Sequence, residues 1–157
     1  MRAYAARYGA PEEAWGIAGM LHDFDYEMHP HAPQHPAKGA EILLARGLDP
    51  DIVRAILAHA DYSGVPRVSL LDRALYACDE LTGFVHACAL VRPRKVIDGL
   101  EAASVRKKLN DKGFARTVNR DDVYRGAAEL GVELDAHIAF VVNALASVAP
   151  EVGLARA

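Results

Sequence analysis

The sequence predicts an all-α protein, and three observations carry that expectation. Apolar residues return at three- and four-residue spacing in one segment after another. Capping residues, prolines and glycines punctuate those segments where helices would start and stop. No stretch alternates apolar and polar residues as a half-buried strand would, and no internal repeat or low-complexity tract breaks the pattern.

The first predicted helix opens at Pro11 with Glu12 and Glu13 in its first turn, and Ala14, Ile17, Ala18 and Leu21 form its apolar stripe. His22 and Asp23 fall at its end. From Tyr26 to Pro36 the chain carries Pro30, Pro33 and Pro36 together with His29, His31 and His35, a composition that reads as a loop. A second helix, about 37 to 46, stops at Gly47. Asp49 caps a third, with Pro50 in first position and Ile52, Val53, Ile56 and Leu57 as its stripe, ending near His59. After the turn from Asp61 to Pro66, Ser69 caps a long helix reaching about Val91. Asp79 sits in its middle beside Leu75, Cys78 and Thr82, so this carboxylate points to the core side and needs a partner. Further helices are expected over about 98 to 109, from Asn119 with Asp121 and Asp122 in the first turn, and over about 135 to 148.

A length of 157 residues with 52% apolar and 25% charged composition suits one globular domain, 1–157. Within it, ligand-type residues fall in 15–90 and a basic helical tail covers 92–150. No apolar run reaches bilayer length, and Met1-Arg2-Ala3-Tyr4 lacks the apolar core of a secretory signal, so a cytoplasmic placement with no membrane partner is expected. Cys78 and Cys88 lie ten residues apart on one predicted helix, about 15 Å at 1.5 Å per residue, and read as packing residues. The net charge of −3 conceals a division: residues 92–125 hold ten of the eighteen Lys and Arg against five acids. A basic segment beside an acidic body suits a small anionic ligand. Lys107, Lys108, Lys112 and Arg120 are the candidate phosphate contacts, with Arg92 or Arg94 as a further clamp. Only Phe114 and Tyr124 interleave these charges, so no nucleic-acid groove is expected. Apolar helix ends allow a homodimer.

Metal-type ligands recur in chain order at His22, Asp23, His35, His59 and Asp79. Imidazole and carboxylate together suit borderline divalent ions such as Mn, Fe, Co, Ni or Zn, and a mixed set on helices leaves positions open for water and substrate. His29 and His31 read as loop residues, His86 as a reserve ligand, and Asp25, Asp61 and Glu80 as groups able to orient ligand histidines.

The blocks Gly19-Met20-Leu21-His22-Asp23, His35-Pro36-Ala37-Lys38-Gly39-Ala40-Glu41-Ile42-Leu43, Ala55-Ile56-Leu57-Ala58-His59 and Ala77-Cys78-Asp79-Glu80-Leu81 resemble the HD-superfamily metal-dependent phosphohydrolases. The tail, from Ala89 through Lys107-Lys108-Leu109-Asn110-Asp111-Lys112 to Arg120, resembles a subgroup of small bacterial HD proteins described as predicted hydrolases. The resemblance implies an HD-domain bundle of about six to seven helices. It further implies hydrolysis of a small phosphorylated metabolite or nucleotide, with one or two divalent ions drawn from Mn, Fe, Ni, Co, Zn or Mg. By it, His22, Asp23 and Asp79 hold a primary metal, His35 and His59 match the second-metal positions, and Asp23 is the catalytic residue that bridges them. The family pattern opens with a further histidine on a preceding helix, and no histidine precedes His22. Cyclic-dinucleotide-cleaving relatives carry Lys where Tyr26 stands and His-His where this chain has His59-Ala60, so that substrate is not expected. Two rival readings follow from the same resemblance. One is a di-iron oxygenase; the other is a non-catalytic nucleotide-binding module in which the absent histidine has removed activity.

Overall fold

A computed structural model describes residues 1–155. Among the described residues there are eight α-helices and no strand, as the all-α reading requires. The chain divides into two compact units, Met1–Tyr76 and the remainder from Ala77.

In the first unit, α1 (Arg2–Tyr8) precedes α2 (Glu12–Leu21), α3 (Gln34–Ala45) and α4 (Pro50–Ala58). Helix α1 is the one element the sequence pattern missed. It is only seven residues long, Met1 gives it no side-chain cap, and a helix so short is marginal by itself. Packing supplies what propensity does not: Tyr4 and Ala5 are buried, and Tyr8 lies between Tyr4 at 5.8 Å and Trp15 of α2 at 6.2 Å, ring centre to ring centre. Ala18, Ala40, Leu43, Ile52, Val53 and Ile56 then join α2, α3 and α4 into one apolar cluster.

The long helix α5 (Leu70–Leu90) starts in the first unit and continues into the second. Its start is secured by a reciprocal cap, in which Ser69 N–H donates to Asp72 Oδ2 at 2.8 Å while Asp72 N–H donates to Ser69 Oγ at 3.1 Å. The same Asp72 oxygen accepts Val68 N–H at 2.9 Å and is paired with Arg54 of α4. This carboxylate is wholly buried, so its ionisation depends on those partners.

In the second unit, α5 continues against α6 (Ala102–Leu109), α7 (Arg120–Leu130) and α8 (Leu134–Ser147). Leu81, Phe84, Val85, Ile97, Val105, Val123, Ile138 and Leu154 form its core. Gly126 lets α7 approach α5 closely, since a Cβ there would stand 2.7 Å from Ala77 Cα. Helix α6 begins at Ala102, four residues later than the sequence suggested. The cause is Arg92, whose guanidinium donates to the carbonyls of Val96, Asp98 and Gly99 and holds this stretch as a turn, with Gly99 at φ +68°. Cys78 and Cys88 are buried free thiols, and burial pushes both up to about 11, as suits packing residues. No single helix among the described residues is long and apolar enough to cross a membrane; α7 and α8 reach that measure only as a pair bent by 98°.

Burial raises the Asp72 carboxyl, but the hydrogen bonds from Ser69, Arg54 and Val68 outweigh it and hold the group below its ordinary 3.8. A lowered folded value means the stabilisation is present above about pH 4 and is lost as pH falls through the folded value. Asp72→Asn should therefore cost about 2 kcal/mol at pH 7, and the gap to the parent protein should close on acidification. Thermal unfolding of both proteins at pH 7 and pH 3 checks this.

Candidate metal centre

Three imidazoles of the first unit sit at helix ends. His22 closes α2, His59 closes α4, and His35 stands where α3 departs from helical geometry, at φ −80° and ψ 139°. Each has one ring nitrogen engaged by an oxygen that can only accept. His22 Nδ1 lies 2.9 Å from Gly19 O, His59 Nδ1 lies 2.5 Å from Ile56 O, and His35 Nδ1 lies 2.8 Å from Asp25 Oδ1. In a neutral imidazole the hydrogen must then be on Nδ1, and Nε2 carries a lone pair.

All three Nε2 atoms turn toward Asp23. His35 Nε2 is 3.2 Å and His59 Nε2 3.4 Å from Asp23 Oδ1, and His22 Nε2 is 3.4 Å from Oδ2. His35 and His59 bring their Nε2 atoms within 3.4 Å of each other. Two lone pairs at that distance, with a carboxylate oxygen beside both, repel unless a cation lies among them. A transition-metal ion fits this donor set, two neutral imidazoles and a carboxylate with further positions open. His35 and His59 are almost fully buried, whereas Asp23 is half exposed, so the group opens to solvent on its carboxylate side. Burial raises the Asp23 carboxyl, but protonated imidazoles, which donate from Nε2 as well, outweigh it: a hydrogen bond from His59 and the charges of His22, His59 and His35 then hold the group below its ordinary value.

Of the residues singled out from sequence, His22, Asp23, His35 and His59 come together here. Asp79 lies partly buried on α5, past the point where that helix enters the second unit. His86 Nε2 meets Val152 O at 3.1 Å, and Asp61 pairs with Arg67 at 2.9 Å. Lys107 and Lys112 are exposed, while Lys108 lies 3.6 Å from Asp111 and over the Phe114 ring. The Arg120 guanidinium is occupied differently from the phosphate contact expected of it. Its terminal nitrogens donate to the carbonyls of Asp111, Phe114, Ala115 and Val118, which ties down the segment before α7.

Pattern reading missed two neighbours of the centre and one buried histidine elsewhere. Gly39 donates its N–H to Asp25 Oδ2 at 2.8 Å, and Tyr26 sets its half-exposed ring edge-on to His35 at 5.3 Å. In the second unit, buried His137 donates from Nε2 to Ala77 O at 2.9 Å, a packing role that no local sequence signal announces.

An all-α chain whose imidazoles and carboxylate converge from successive helix ends presents a donor set of the kind that could hold a metal ion. A family model, the HD domain, matches residues 1–83, more than half of the chain, and the protein is a member of that family. The HD domain defines a superfamily of metal-dependent hydrolases, and its members bind divalent metals. Neither curated proteins nor solved structures give a match to this chain.

Because each imidazole must be neutral to offer its lone pair, metal affinity should fall on acidification. A competition titration with a chromogenic chelator at pH 5.5, 6.5 and 7.5 should show a steep loss on the acid side, and a flat profile would exclude the imidazoles as ligands.

Proposed function

We propose that this protein is a metal-dependent phosphohydrolase acting on a small phosphorylated metabolite or nucleotide. The observation that carries the reading is the convergence of His22, His35 and His59 Nε2 on the Asp23 carboxylate, a donor set arranged for a divalent ion. When bound, such an ion supplies Lewis acidity toward a phosphoryl oxygen and lowers the pKa of water. The protein's own groups do the rest. His35 and His59, rigidly seated and nearly dry, fix the geometry, while Asp23 at the open side stands where incoming water and substrate pass. A carboxylate is ionised at neutral pH and accepts only, so Asp23 can take a hydrogen bond from the attacking water and align it.

The phosphorylated substrate class is supported by the family and by charge. Residues 92–125 carry a net +5 in a protein of net −3, a distribution that draws small anions from solution. Asp79 joins the ligand set on the family resemblance. Its partly buried carboxylate is compatible with a charged partner.

Asp23→Ala should abolish both metal uptake and phosphate release, the first measured by elemental analysis after dialysis and the second over a panel of nucleotides and sugar phosphates with Mn²⁺. Hydrolysis undiminished in that variant would overturn the proposal. Asp79→Ala should lower metal stoichiometry in the same assay while leaving the helical content measured by circular dichroism in place.

A further inference from the structure

The three imidazoles are not oriented alike. His22 and His59 donate to carbonyls three residues back in their own helices, Gly19 O and Ile56 O, which a helix end offers without further provision. His35 sits at the break in α3, where the residue three places back, Ala32, belongs to the loop. Its acceptor comes instead from ten residues earlier, as the side chain of Asp25.

We infer that Asp25 is a positioning residue: it selects the tautomer of His35 that turns a bare Nε2 toward Asp23, and so sets how tightly the centre takes a divalent cation. This rests on the metal-centre reading given above. Asp25 has no exposed surface, and a carboxylate in that position is tolerable only if its oxygens are satisfied. One is held by His35 Nδ1 and the other by Gly39 N–H, each at 2.8 Å. The seat is shaped for the carboxylate. A Cβ on residue 39 would stand 2.6 Å from Asp25 Cγ and under 3 Å from both oxygens, so only glycine admits the group there. Gly39 also follows His35 by four residues, so one turn of α3 links the imidazole, the N–H that holds its acceptor and the gap the acceptor fills.

An ionised carboxylate has no hydrogen to give, so Nδ1 must carry it, and the negative charge enriches the ring and strengthens Nε2 as a donor. An amide in the same place cannot do both jobs. If its oxygen faces His35, its NH₂ confronts Gly39 N–H; if it is turned, the NH₂ faces Nδ1 and drives the hydrogen to Nε2, the atom that should meet the metal.

The test uses the full chain labelled with ¹⁵N-histidine, metal-free and at pH 7.5, together with Zn²⁺ and Mn²⁺ titrations. In the parent protein His35 should show the Nδ1-protonated tautomer. Asp25→Asn should shift it toward Nε2-protonated and weaken Zn²⁺ binding by about ten- to a hundredfold, with the His22 and His59 signals keeping their tautomers. Gly39→Ala, which displaces the carboxylate without altering its chemistry and adds a good helix former, serves as the second variant should Asp25→Asn not fold, and should weaken Zn²⁺ binding in the same direction. An unchanged His35 tautomer with unchanged Zn²⁺ affinity in either folded variant would overturn the inference. A parent protein that shows the tautomer and its loss in Asp25→Asn, yet takes up neither metal, would leave the tautomer role of Asp25 intact, overturn its role in setting cation affinity and remove the hydrolase reading.

Discussion

The hydrogens on Nδ1 of His22, His35 and His59 fix the rest of the centre, because an imidazole that donates from one nitrogen bares a lone pair on the other. Two of those hydrogens are placed by helix carbonyls and one by Asp25. Everything that follows in the first unit is arranged to keep these acceptors where they are. The cluster of Ala18, Ala40, Leu43, Ile52, Val53 and Ile56 locks α2, α3 and α4 against one another, and with them the helix ends from which the imidazoles project. A shift of one helix by a single residue would turn its imidazole off the common point.

Packing of this kind holds together groups that do not attract one another. Three Nε2 lone pairs facing a carboxylate are unfavourable neighbours without a positive charge, so the apolar core of the unit carries an electrostatic burden at its edge. A ligand bound only by the folded chain stabilises that fold by mass action, so a divalent ion held here would be a structural as well as a chemical partner. Burial of His35 and His59 and exposure of Asp23 give the group a rigid side and an open one.

Much of this was legible from the chain itself. The helical periodicity, the caps at Asp49, Ser69 and Asn119 and the loop rich in proline and histidine all have local physical causes, and they located seven of the eight helices. The imidazoles could be placed at helix ends for the same reason. Helix α1 was not legible, since its stability draws on the contact of Tyr8 with Trp15 of α2, which no seven-residue window contains. The Asp25–His35–Gly39 connection spans fourteen residues and a loop, so its parts stood in the sequence without any sign that they meet. Arg120 shows the converse limit: its charge suggested an anion, but its position as the first residue of α7 places its nitrogens among four carbonyls.

The ends of the helices have one more effect. His22 and His59 mark the C-terminal ends of α2 and α4, where unpaired carbonyls leave a partial negative charge. Helix α3 turns the opposite pole toward the same region, and an N-terminal end would oppose a cation there. Asp25 sits on that end, bonded to Gly39 N–H, and its charge cancels the offending pole. The backbone therefore gives this region a standing negative potential. A divalent ion would feel that attraction before any lone pair reaches it, and an anionic substrate arriving without one would be turned away.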